Sequence, residues 1–146
     1  MRKLFTLRFL LLLLIAGAGF TKTNAQVSHL VISQVYGGGG NSGATYKNDF
    51  IEIFNPTASA VNLSGWSVQY SSAAGTGTWA ATSLSGNILA GGYYLVQEAA
   101  GTGGTTSLPT PDATGTIALS ATTGKVALVN NNTPLSGACP TAGGTI

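Results

Sequence analysis

Past the first quarter of the chain, apolar residues come in short runs that alternate with polar ones, and no stretch keeps a helix's 3.6-residue spacing. Val27 to Tyr36 reads as a first strand. Val27, His29, Val31, Ser33 and Val35 fall on one face and Leu30, Ile32, Gln34 and Tyr36 on the other, so the strand is expected to be buried on both sides or shielded at one end. Phe50 to Phe54 is aromatic and β-branched, which suits a pleated strand with Ile51 and Ile53 facing the core. Asn55-Pro56 stops it, because Pro56 has no N–H for a ladder and Asn tolerates a turn. Val61 and Leu63 alternate, Ser64-Gly65 bends the chain, and Trp66, Val68 and Tyr70 alternate again. Two β segments joined by a compact corner, with a large aromatic just after it, predict the centre of a small sandwich in which Ile51, Ile53 and Trp66 fill the gap between two sheets.

The remaining pattern is also strand and turn. Trp79 to Leu84 and Tyr93 to Glu98 read as strands, and Gly86 to Gly92 as a turn whose Ile88 and Leu89 touch the core. Ala99 to Gly115, with Pro109 and Pro111, is expected to be an extended loop without regular structure. Thr116 to Ser120 and Lys125 to Asn130 are expected to form a last hairpin around Thr122-Thr123-Gly124. The sum is about seven strands, the number of an immunoglobulin-like sandwich.

Charge changes the picture chiefly by where it sits. The formal net charge is +2, yet Arg2, Lys3, Arg8 and Lys22 all precede Gln26. The rest holds Lys47 and Lys125 against Asp49, Glu52, Glu98 and Asp112, a net of −2. A body with two lysines and no arginine neutralises few phosphates, which argues against direct nucleic-acid binding. The basic leader continues into an apolar run, Phe9 to Ala16, and ends at Thr23-Asn24-Ala25 with small residues before Gln26. That is the form of a cleaved secretory signal over residues 1–25. The apolar run is short of the ~20 residues a membrane span needs, and no cysteine follows it to carry a lipid. The expectation is an exported chain, secreted or at the cell surface, whose mature domain spans residues 26–146 and has no membrane contact after cleavage. Cys139 stands alone, and Gly143-Gly144-Thr145-Ile146 reads as the opening of another strand. On that reading the sequence is a fragment, with any partner for Cys139 in the missing part.

Candidate chemistry is sparse. Gly37 to Gly43 lacks the Gly-Lys-Ser/Thr ending of a phosphate loop and no helix follows it, so it reads as a long mobile connection. Asp49 and Glu52 fall on opposite faces of a strand and make no catalytic pair; Glu52 reads as solvated or paired with a lysine. His29 has no nucleophile-elbow serine to serve. One Cys and one His among scattered carboxylates make no closed zinc site. Asp112, in the proline-rich loop, has only neighbouring carbonyls to share a hard cation with. Trp66, Trp79, Tyr70, Tyr93 and Tyr94 are a candidate sugar-stacking platform, against which stands ordinary core packing. Asn62-Leu63-Ser64 matches a glycosylation sequon. No catalytic, cofactor-binding or metal-binding residue is assigned, and no cofactor is expected.

Phe50-Ile51-Glu52-Ile53-Phe54-Asn55-Pro56 followed by Val61-Asn62-Leu63-Ser64-Gly65-Trp66-Ser67-Val68 resembles the lamin tail domain family. The family pattern is a strand ending in Glu-aliphatic-x-Asn, a short turn, then aliphatic-x-Leu-Ser-Gly-Trp. Ile51, Glu52, Ile53, Asn55, Leu63, Ser64, Gly65 and Trp66 occupy those positions. Val31 to Tyr36 is similar to the family's entry strand and Ala90 to Val96 to its later Gly-aromatic strand. The resemblance covers about Val27 to Asn130 and implies an all-β, immunoglobulin-like sandwich without catalytic residues of its own. The glycine-rich loop and Leu108 to Asp112 resemble the family's secreted bacterial branch, where the domain sits in larger extracellular proteins, some with nuclease or phosphatase domains. What the resemblance implies is therefore an interaction or scaffold module, with a protein, an extracellular polymer or a downstream domain of the same polypeptide as partner. The alternatives are an accessory domain of a secreted nuclease or phosphatase and, more distantly, a carbohydrate-binding module. The family's closing segment is not visible, which predicts an unpaired edge and an open core.

Overall fold

The computed structural model describes residues 27–140. The expected signal over residues 1–25 and the strand opening at Gly143 lie outside the described residues. The described chain has no helix and forms nine strands: β1 (Val31–Tyr36), β2 (Asn48–Phe54), β3 (Val61–Asn62), β4 (Ser67–Ser72), β5 (Ala80–Ser83), β6 (Asn87–Ile88), β7 (Tyr93–Ala100), β8 (Ala113–Thr114) and β9 (Gly124–Val129). Three of them, β3, β6 and β8, are two-residue pairings that carry no periodicity; the other six are strands that the pattern predicts, and its seventh, Thr116 to Ser120, is not a strand.

The strands make a sandwich. One sheet runs β1-β2-β7-β8, the other β5-β4-β9, and the β3-β6 ribbon closes the corner. All pairings are antiparallel except that of β7 with β8. Period-2 alternation turns one side of each strand inward. Ile51 and Ile53 of β2, opposite Val96 and Tyr94 of β7, meet Val68 of β4 and Leu128 of β9, joined by Leu63, Leu84 and Ile88. Ile51, Ile53, Leu63, Val68 and Val96 are fully buried, each contributing about 1.5–3 kcal/mol relative to exposure. Trp66 packs half-buried against this core. It lines an apolar groove of about 350 Å³ that separates the edge strands β1 and β9.

The structure departs from the sequence pattern in five places. A bulge sets Ile32 opposite Ile53 but Gln34 opposite Glu52, so Ser33 is an extra residue and the alternation shifts, placing Val35 rather than Gln34 on the side of Ile51. Ser33, Gln34 and Val35 are exposed, and β1 is an edge rather than a doubly shielded strand. Leu89 is 69% exposed, while its neighbour Ile88 is in the core. The expected hairpin at 116–130 does not form: β9 pairs with β4, and segment 117–120 is held mainly by side chains. The 99–115 loop contains β8, bonded parallel to β7. Residues 131–138, which follow the last strand that the pattern predicts, fold back over the outer side of β5-β4-β9.

Candidate functional site

The residues of the motif converge on one corner. Asn55 is fully buried, and its amide donates to the carbonyls of Ser59, Ile88 and Leu89 while its Oδ1 accepts from the Thr57 amide and hydroxyl. No residue other than glycine has a positive φ among those described, so Asn55 sets the turn by side-chain bonds and not by adopting left-handed geometry. Leu63 fills the corner, exposed Ser64 donates its amide to Asn62 Oδ1, and Gly65 supplies the φ of 85° that lets Trp66 turn into β4. Glu52 lies on the outer face of β2, where Ser33 Oγ donates to Oε1 at 2.6 Å; its partner is a serine rather than a lysine. These groups are structural: each is spent on backbone or on a neighbouring side chain.

The five aromatics considered as a platform do not share a surface. Tyr94 and Trp79 are buried, Trp66 and Tyr70 lean on the core, and Tyr93 alone is open, at 61% exposure. Trp79 sits on the far side of the second sheet with Ala127, Val129 and Leu135. Its Nε1 donates to the Gly137 carbonyl, and Lys125 Nζ lies 5.5 Å from its ring. Rings do assemble elsewhere: Tyr36, Tyr46 and Phe50 have centroids 5.3 to 5.9 Å apart, and Tyr93 lies 4.8 Å from Phe54. Asp112 is occupied as well, since its Oδ2 accepts the Leu95 amide at 2.7 Å. His29 lines the groove beside Trp66, and Cys139 is exposed and free.

The most constructed region is one end of the sandwich, where loop 37–47, loop 101–106 and segment 117–120 meet. The glycine loop is not a slack connection. Gly40 has a φ of 71°, and a Cβ there would overlap the backbone of Gly101. The Gly40 amide donates to Tyr46 O, Gly103 N to Gly40 O, Lys47 N to Thr106 O and Gly38 N to Leu119 O. Glycine is required here because three backbones approach more closely than side chains permit. Tyr46 packs edge-on against Tyr36 and Phe50 and fixes the far side of the loop.

Two carboxylates anchor that end from below. Asp49 and Glu98 are 3% and 1% exposed. Both continue inward-facing rows: Asp49 precedes Ile51 and Ile53, and Glu98 follows Tyr94 and Val96. A register shift between Asn48 and Phe50 sets Glu98 and Ala99 of β7 against Asp49 of β2. Asp49 accepts the Gly39 amide at 2.6 Å on one oxygen and the Leu119 amide at 2.7 Å on the other. Glu98 Oε2 accepts the Ile117 amide at 2.9 Å and a bond from the Thr82 side chain, while the buried Oε1 has no hydrogen-bond partner. Burial pushes the Glu98 carboxyl above the usual range, and Asp49 pushes the same way, against the bonds from Thr82 and Ile117 that pull it down. Sequence reading weighed Asp49 against Glu52 and did not find Glu98. The available signal was the alternation itself, extended one step beyond each apolar row.

Chemically this end holds loops in place. Among the described residues, no group of three or more His, Cys, Asp or Glu side chains could hold a metal ion. Two packed β-sheets with pinned loops at one end define an immunoglobulin-like domain. The family model of the Lamin Tail Domain matches residues 23–137, and the chain belongs to that family. No curated protein and no solved structure gives a significant match.

Proposed function

We propose that this chain is a non-catalytic docking module of an exported bacterial protein, and that its working surface is the end built from loop 37–47, loop 101–106 and segment 117–120. The observation that carries the reading is Asp49, which ties the glycine loop to segment 117–120 through Gly39 and Leu119 and so presents both as one rigid surface. Asn41, Ser42, Gly43, Thr45 and Lys47 are exposed on that surface. They offer backbone, hydroxyl and amide groups with a single charge, which suits a protein or a neutral polymer better than a polyanion. The same end could face a nuclease or phosphatase domain of the same polypeptide, which is the accessory-domain form of this proposal.

A photo-crosslinker at Ser42 or Thr105, compared with one at Ser85 in the opposite corner, tests the reading on the exported protein in its native host. Capture of one defined partner from the loop end alone is the expected result. Equal capture from both positions, or turnover of phosphodiester or phosphomonoester substrates by the purified chain, overturns it. Binding to a glycan panel that is lost on replacing Tyr93 would instead establish the carbohydrate-binding alternative.

A further inference from the structure

Asp49 and Glu98 do more than anchor. They lie side by side in the core on adjacent strands, and both hold the same short segment, Asp49 through the Leu119 amide and Glu98 through the Ile117 amide. The segment links the two sheets. Ile117 O accepts the Ala99 amide of β7, Ser120 N donates to Tyr70 Oη of β4, and Leu119 O accepts the Gly38 amide of the glycine loop. The carboxyl is closely packed on its Oε2 side, since a Cβ at Gly115 would overlap both that oxygen and the Thr82 hydroxyl. Glu98 Oε1 is left without a partner in that enclosure, the arrangement that makes a buried negative charge expensive and a neutral carboxyl acceptable.

We propose that Glu98 is a protonation-controlled latch: neutral, it sits in the core at little cost and lets segment 117–120 close over it between the two sheets; charged, its burial outweighs the stronger bond from the Ile117 amide and favours opening of that segment and of the glycine loop that Asp49 ties to it. The latch is a property of the fold and holds whatever partner the loop end takes. The groups facing Glu98 are Asp49 from β2, Thr82 from β5, the Ile117 amide from the segment, and Gly115 following β8; of these only Asp49 is an ionisable side chain. The sign follows. A carboxyl whose native value lies above its unfolded value gives full stability below the unfolded value, and that stability is lost as pH rises through the native value. Mild acid therefore tightens the loop end and alkali loosens it, the reverse of a carboxylate held by a salt bridge.

The test is unfolding of the full chain, with amide exchange corrected for intrinsic rate, from pH 4.5 to pH 8.5 in wild type, Glu98→Gln and His29→Gln. In wild type the unfolding constant should rise severalfold across this range, the direction a carboxyl raised by burial requires. Protection at Ile117 and Leu119 should fall at least as steeply as that at Val68 and Val96. Glu98→Gln should flatten both curves to less than about twofold, and His29→Gln should leave the wild-type slope in place. A wild-type slope that survives Glu98→Gln, or stability that grows with pH over the window, overturns the proposal. If Glu98→Gln does not fold, Thr82→Val keeps it testable: the fall should move to higher pH, and an unmoved curve overturns it.

Discussion

Gln69 and the Asp49–Glu98 pair perform one task by different chemistry. Each is a set of buried polar side chains that holds an irregular segment against a sheet through backbone bonds. Gln69, fully buried on the outer side of β4, donates Nε2 to Ser67 Oγ and Thr133 O and accepts the Leu135 amide on Oε1 at 2.7 Å. Ser67 Oγ then donates to Asn131 O, so segment 131–135 is fastened by neutral groups with both amide atoms of Gln69 satisfied. The other site fastens segment 117–119 with two carboxyls and leaves one buried oxygen unmatched. A neutral amide network rigidifies at every pH; a charged one in the core makes its hold depend on protons. The domain thus carries a permanent clasp on one sheet and a conditional one at the loop end.

The largest effect is expected from removing the most heavily used group. Asp49→Ala leaves the Gly39 and Leu119 amides buried without an acceptor. Two charge-assisted bonds are worth about 3–5 kcal/mol together, partly offset because Glu98 loses a like charge beside it. Denaturant unfolding should show that loss, and the pH dependence should shrink at the same time. A loss that does not weaken the pH dependence would separate the two carboxyls and break the comparison.

Gln69→Ala should come next, at roughly 2–4 kcal/mol for the amide's bonds and the void left behind. The expectation that sharpens the contrast is that the loss is the same at pH 5 and pH 8, since nothing in that clasp titrates. Exchange of the Trp79 and Leu135 amides should rise, because both depend on segment 131–138 staying seated. Trp79→Phe, which deletes the Nε1 bond to Gly137 and trims the buried ring beneath Lys125, should cost about 1–3 kcal/mol, again without pH dependence.

The sandwich was legible because its determinants are local. Ile51 and Ile53 alternate with polar or outer-face residues, Asn55-Pro56 ends the strand in sequence, and Gly65 marks the bend before Trp66. The two clasps were not, because their meaning is supplied by distant chain. Ser67 and Gln69 alternate with Val68 as a solvated outer face would, and they are buried only because the polar stretch 131–138 returns to cover them. That stretch carries one strong apolar signal, Leu135, which is too little to predict a docked segment. Asp49 and Glu98 meet across a register shift that no periodicity announces. Their positions at the ends of inward rows were readable, but a carboxylate ending such a row is ordinarily taken as the point where the strand reaches water. The glycine loop failed for the opposite reason: its glycines signal freedom in sequence and close approach in the fold.

The smallest expected effect is also the finest probe of the contrast. Thr82 belongs to β5, in the sheet that carries Gln69, yet its side chain turns inward and bonds Glu98. That bond pulls the Glu98 carboxyl down against burial, so Thr82→Val, close in volume, removes it and leaves desolvation unopposed on that side. The Glu98 carboxyl should then hold its proton to higher pH than in wild type. Below the wild-type transition the variant should lose only the hydroxyl's own bond, roughly 0.5–1.5 kcal/mol. At pH 8 the deficit should differ from that at pH 5, whereas Trp79→Phe, made in the neutral clasp, should show the same deficit at both. Equal deficits for Thr82→Val at the two pH values would mean that the hydroxyl does not sense the charge on Glu98, and the loop-end clasp would then be as indifferent to protons as the one built on Gln69.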